Sequence, residues 1–104
     1  MITAVMFRHG IENPEAMERI RSRLQRLESR SERIRRVDVV LDKVSYAGEP
    51  SLNYQCHISF RGTEKRDLDI YADKRQADMA IDDAFDRLNT ALKSGLIRRM
   101  RKRR

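Results

Sequence analysis

A single cysteine, Cys56, cannot form an internal disulfide, so the fold has no need of an oxidising compartment. There is no tryptophan, and aromatics are only 6% of the chain, so a core must be built from aliphatic side chains and methionine. Two prolines and four glycines leave no room for a linker or a low-complexity segment. Long apolar runs are also missing, which excludes a membrane span. Met1 leads directly into Ile2-Thr3-Ala4-Val5-Met6-Phe7, too short an apolar stretch for an export signal. No glycine-rich phosphate loop or nucleophile elbow occurs. Two histidines and one cysteine give no recognisable metal-ligand spacing. The expectation is a cytoplasmic binding protein that is not an enzyme and has no cofactor.

What the chain does have is charge. Its 104 residues carry 23 Lys+Arg against 16 Asp+Glu, a net of +7. One compact domain fits that length. The charge is polarised: residues 1–36 are net +4, residues 37–73 net −3, residues 74–95 neutral and residues 96–104 net +6. Solubility alone is served by scattered charge. Clustering of this kind favours a polyanionic partner, and nucleic acid is the commonest.

The hydrophobic pattern predicts six elements. Residues 2–7 read as a strand ended by Gly10. Asn13-Pro14 marks a helix start, because Asn caps free backbone donors and Pro at the first position loses no hydrogen bond. Met17, Ile20, Leu24 and Leu27 give that helix one apolar face to about Arg30 or Ser31. Residues 36–45 alternate, with Val37, Val39 and Leu41 on one face. Ala47 to Ser51 reads as a turn. Residues 53–61 place Tyr54, Cys56, Ile58 and Phe60 inward and Asn53, Gln55, His57, Ser59 and Arg61 outward. Arg61-Gly62-Thr63-Glu64 closes a hairpin, and residues 66–72 alternate again. A second helix is expected from Lys74 or Arg75, capped by Asp73, to Ser94, with Gly95 as its C-cap. Its stripe is Ala77, Ile81, Ala84, Phe85, Leu88 and Leu92.

The order β-α-β-β-β-α implies an α+β fold with a four-stranded sheet. The first pair is parallel through a right-handed crossover and the rest are antiparallel. Both helices lie on one face, as in a double-stranded-RNA-binding domain. The domain is expected to span residues 1–95, with residues 96–104 a polybasic tail, disordered when free.

Two features suit an anion. Arg19, Arg23, Arg26 and Arg30 recur at spacings of four, three and four, so they line one side of the first helix with no acid interleaved along the row. Guanidinium groups in such a row can fork onto successive phosphates. The bland alternative is a solvated helix face with local pairs such as Glu15 to Arg19. Arg98, Arg99, Arg101, Lys102, Arg103 and Arg104 form the second feature, a dense cationic run that a polyanion would neutralise. Cys56 and His57 point to opposite faces of one strand and cannot share a ligand. The carboxylates of Asp67, Asp69, Asp82, Asp83 and Asp86 read as exposed polar faces.

Several segments, in this order, resemble the short ribosome hibernation-promoting factor and ribosome-associated translation inhibitor family, also called the sigma-54 modulation protein family. They are Glu12-Asn13-Pro14-Glu15-Ala16, Leu27-Glu28, Arg33 through Leu41, and Ala80-Ile81-Asp82 followed by Asp86-Arg87-Leu88 and Leu92. The resemblance implies binding to the rRNA of the small ribosomal subunit where mRNA and tRNA pass. It also implies inhibition of translation under stress or in stationary phase, with a helper factor for ribosome pairing as a further candidate partner. Arg23, Arg26 and Arg87 fall where the family keeps basic residues. With Arg19, Arg30, Lys93 and the six cations of the tail they form the candidate rRNA-binding set. The second helix departs from the family pattern: it lacks the usual Tyr in its opening, has Thr90 where a basic residue is common and adds Asp83. The alternatives are a double-stranded-RNA-binding domain, or a protein-interaction module using the outward sheet face.

Overall fold

A computed structural model describes residues 1–9, 13–30, 34–45, 53–63 and 66–102. The elements are β1 (Ile2–Phe7), α1 (Pro14–Glu28), β2 (Ile34–Val44), β3 (Asn53–Gly62), β4 (Asp67–Lys74) and α2 (Ala77–Lys102). The four strands form one sheet in the order β1-β2-β3-β4. β1 and β2 are parallel, and the other pairs are antiparallel. This is the expected α+β arrangement. The strand ending at Gly10, the helix end at Ser31, the turn at Ala47 to Ser51 and Glu64 of the hairpin lie outside the described residues.

α1 starts as its sequence dictates. The Asn13 side chain accepts from the backbone N–H groups of Glu15 and Ala16 at 3.1 and 3.2 Å. Pro14 occupies the first turn. The buried face is Ala16, Ile20, Leu24 and Leu27, with Met17 only half-buried.

The inward side chains of the sheet and the apolar stripes of both helices form one core. Val37, Val39, Leu41, Cys56, Ile58, Phe60 and Ala72 meet Ile20 and Leu24 of α1 and Ala80, Ile81, Ala84, Phe85, Leu88 and Leu92 of α2. Both helices therefore cover the same sheet face. Full burial of a Leu, Ile or Phe side chain contributes about 1.5–3 kcal/mol, so this cluster supplies the main drive to fold. Gly62 closes the β3–β4 hairpin, with its N–H bonded to the Arg66 carbonyl at 2.7 Å. A Cβ there would stand 3.1 Å from that carbonyl oxygen and 3.2 Å from the Phe60 ring, so any larger residue would require its neighbours to shift by a few tenths of an ångström.

Several boundaries differ from expectation. α1 stops at Glu28 with Ser29 as its C-cap, short of Arg30 or Ser31, and β2 begins at Ile34, two residues early. Asp73 does not cap α2: β4 continues through it to Lys74. Gln76 takes the cap place instead, its carbonyl accepting from the Ala80 N–H at 3.1 Å. The pairing of Gln55 with Asp73 and Tyr54 with Lys74 extends the ladder past the point where apolar alternation stops. Nor does Gly95 end α2, which runs on to Lys102. A glycine inside a helix costs only about 1 kcal/mol relative to alanine. The Leu, Arg, Lys and Met residues that follow are good helix formers, so propagation continues through it.

Candidate nucleic-acid interface

The arginine row of α1 lines a groove between the two helices. Asp82, Asp86, Asn89 and Lys93 of α2 have the same four-three-four spacing as Arg19, Arg23, Arg26 and Arg30, and the two ladders meet. Arg19 Nη1 donates to Asp82 Oδ2 at 2.7 Å. Arg23 Nη2 donates to Asp86 Oδ1 at 2.5 Å and to the Asp82 carbonyl at 3.3 Å. Arg30 Nη1 donates to Asn89 Oδ1 at 2.6 Å. The row is therefore not free of acids, as its own helix implies; the acids come from α2. Pairs 63 residues apart cannot be read from local spacing, although the repeated interval was a signal in the sequence.

The groove is electrostatically graded along its length. Its first part, a cavity of about 750 Å³, is lined by Arg19, Arg23 and Arg26 but also by Glu15, Glu18, Asp82 and Asp86. Positive and negative groups offset one another there. Its second part, about 400 Å³, is lined by Arg23, Arg26, Arg30, Asn89 and Lys93, with Leu27, Ser29 and Phe85 completing the wall. Among the described residues no carboxylate lines this end. Arg26, an exposed residue, has no ion pair among the described residues. The amide of Asn89 holds Arg30 without cancelling its charge.

Arg23 differs from its neighbours. Its side chain is only 18% exposed, and its guanidinium carbon lies 5.6 Å from the Phe85 ring centroid. It fastens α1 to α2 by hydrogen bonds and a cation–π contact. Arg87 lies apart from this groove. It pairs with Asp83 at 3.1 Å, and its Nη1 donates to the Tyr71 carbonyl at 3.2 Å, so it sits on the β4 side of α2. The backbone of α2 carries positions 98, 99, 101 and 102 onward in helix from the cationic end of the groove. Arg103 and Arg104 lie outside the described residues.

Burial pushes the Cys56 thiol up to about 12, so it is held as a neutral core group. Among the described residues no three His, Cys, Asp or Glu side chains cluster as metal ligands. No described helix is long and apolar enough to cross a membrane.

Comparison with known proteins gives three results. Residues 5–103 match the model of the family described as Sigma 54 modulation protein / S30EA ribosomal protein. No curated protein sequence matches the chain. Among solved structures, a ribosomal subunit interface protein from Coxiella burnetii superposes with a TM-score of 0.73 at 12% identity, covering 93% of this chain and 99% of that one. The N-terminal domain of Protein Y from Thermus thermophilus superposes with a TM-score of 0.67 at 21% identity, covering 90% and 98%. At these identities the superpositions establish the shared fold.

Proposed function

Because the chain belongs to the Sigma 54 modulation protein / S30EA ribosomal protein family, a ribosome-associated one, we propose that it binds the rRNA of the small ribosomal subunit in the channel used by mRNA and tRNA and thereby inhibits translation. The single observation that carries this reading is the cationic end of the interhelical groove, which no described carboxylate lines. Arg23, Arg26, Arg30 and Lys93 converge there, and α2 continues from it into the basic C-terminal segment.

Guanidinium groups on a rigid helix present paired donors that match phosphate oxygens. A bound phosphate would replace hydration at Arg26 and Lys93 while leaving the buried fastening by Arg23 intact. Arg98, Arg99, Arg101, Lys102, Arg103 and Arg104 extend the cationic track along the RNA backbone. Arg19 and Arg87, each held in an ion pair, supply secondary contacts. Contacts of this type carry affinity and position rather than base sequence, which suits a factor that occludes one site on one large RNA. The action is steric and needs no reaction or cofactor. Its setting is the cytoplasm of stressed or stationary-phase cells, where a helper factor for ribosome pairing is a further partner.

Chemical footprinting of small subunits with the full chain tests this directly. Protection confined to the decoding channel, together with loss of in-vitro translation at the same protein concentrations, is the expected result. Protection elsewhere, or translation unaffected at saturation, would overturn the channel assignment.

A further inference from the structure

We infer that the open face of the sheet, opposite the interhelical groove, is a docking surface for an arginine-rich protein segment. This surface is separate from the rRNA reading and uses none of its residues. Register places Met6, Val40, His57 and Tyr71 side by side across all four strands. Met6 is 54% exposed and Tyr71 53% exposed, and no described element covers them. The strip is ordered. The His57 and Tyr71 rings stack with centroids 4.2 Å apart and planes 5° from parallel. His57 Nε2 lies 3.1 Å from Asp69 Oδ1, which fixes the imidazole and through it the phenol ring.

Carboxylates flank this strip on both sides. One neighbouring row contains Asp38 and Asp69, and the other contains Asp42 and Asp73. Tyr71 thus has an aspartate two residues before it and two residues after it on the same strand face, each about 7 Å away along the strand. A guanidinium laid on the exposed side of the Tyr71 ring makes a cation–π contact with the Asp69 carboxylate within reach. The apolar stem of the same side chain covers Met6 or Val40. The face carries Asp67 as well. Its described cations are Arg36, engaged by Asp38 at 2.9 Å, Arg61, 3.7 Å from Asp69, and Arg8 near Asp42, and His9 is hydrogen-bonded to Asp42. Among the described residues aspartates therefore outnumber arginines and lysines on this face of a chain whose net charge is +7. An RNA backbone would meet repulsion there. A basic peptide meets complementary charge around an aromatic anchor.

The test is titration of the isotopically labelled full chain with a short synthetic peptide alternating arginine and leucine. Its glutamate counterpart and a single-stranded RNA oligonucleotide serve as the other two probes. Saturable shifts of the Met6, Val40, His57 and Tyr71 amides with the arginine peptide alone are expected. Tyr71→Thr, which keeps strand preference, and Asp69→Asn should each weaken that binding roughly fivefold or more. Met6→Lys, at an exposed edge-strand position that leaves the core untouched, should weaken it through repulsion. Three folded variants with undiminished affinity, peptide shifts confined to the interhelical groove, or RNA shifting the sheet strip would each overturn the inference.

Discussion

Arg23 and Asp86 face each other across the two helices, with Nη2 and Oδ1 2.5 Å apart and the guanidinium over the Phe85 ring. The most buried arginine of the cationic row is thus a fastener, while Arg26, one turn on, is presented outward. Residues of the same type at regular spacing are divided into structural and exposed members by what α2 sets opposite them.

Charge reversal should separate these roles. Arg23→Glu places a carboxylate against Asp86 and removes a half-buried cation–π contact. Breaking such charged hydrogen bonds costs about 1–3 kcal/mol, which lowers the melting temperature by several degrees to roughly 15 °C in a domain of this size. Arg26→Glu should change stability by less than about 0.5 kcal/mol. Thermal melts of the two variants side by side check this.

Binding to small subunits should fall steeply with salt. With roughly five to eight phosphate contacts, affinity should drop on the order of a thousandfold between low and moderate ionic strength. Salt titration of the dissociation constant gives the slope, and a flat response would indicate an apolar dock in place of the cationic groove.

Truncation after Gly95 removes six positive charges. The cut lies beyond Leu92, and every core residue named above is kept, so the melting temperature should move by only a few degrees. Ribosome affinity should fall, and the salt slope should flatten in proportion to the phosphates left unneutralised.

Cys56 should resist thiol reagents while the chain is folded. With its thiol near 12, the thiolate fraction at pH 8 is on the order of one in ten thousand, and the sulfur sits within the core. Labelling should proceed only at the rate of unfolding. Rapid labelling under native conditions would mean that β3 is not packed beneath the helices.

Acid should weaken the link between β2 and the end of β1. His9 Nδ1 lies 2.5 Å from Asp42 Oδ1, and this hydrogen bond holds the Asp42 carboxyl below its ordinary value. The folded pKa is depressed. The contribution is therefore fully present above the ordinary carboxylate pKa of about 3.9 and is lost as pH falls through the lower folded value. Asp42→Asn should be less stable than wild type above that range, and the difference should shrink on acidification in melts followed against pH.

Much of the fold was legible because period-two and helical patterns report burial directly. Val37, Val39 and Leu41, or Ile81, Ala84, Phe85 and Leu88, lie inside because their spacing leaves no other face for them. Boundaries were harder to read. Asp73 looks like a cap, yet strand pairing with Gln55 holds it in β4. Gly95 looks like a stop, yet one glycine does not halt a helix rich in strong formers. The arginine row was legible as a row, but its partners were not. Arg19 and Asp82 meet only because both helices pack on the same sheet face, and that arrangement is a tertiary fact. Alternation marks the outward sheet face by Asn53, Gln55, His57, Ser59 and Arg61, and the transverse strip through Met6 and Tyr71 exists only where register sets the strands side by side.

The cationic end of the groove is the centre of the proposed rRNA contact. One measurement tests it most directly: the affinity of the full chain carrying both Arg26→Glu and Lys93→Glu for purified small ribosomal subunits. Neither side chain belongs to the core, so the double variant should melt close to wild type. Two attractive phosphate contacts become repulsive, and affinity should fall by about a hundredfold or more at low salt. A folded double variant that binds small subunits as tightly as wild type would contradict the proposed role of the groove.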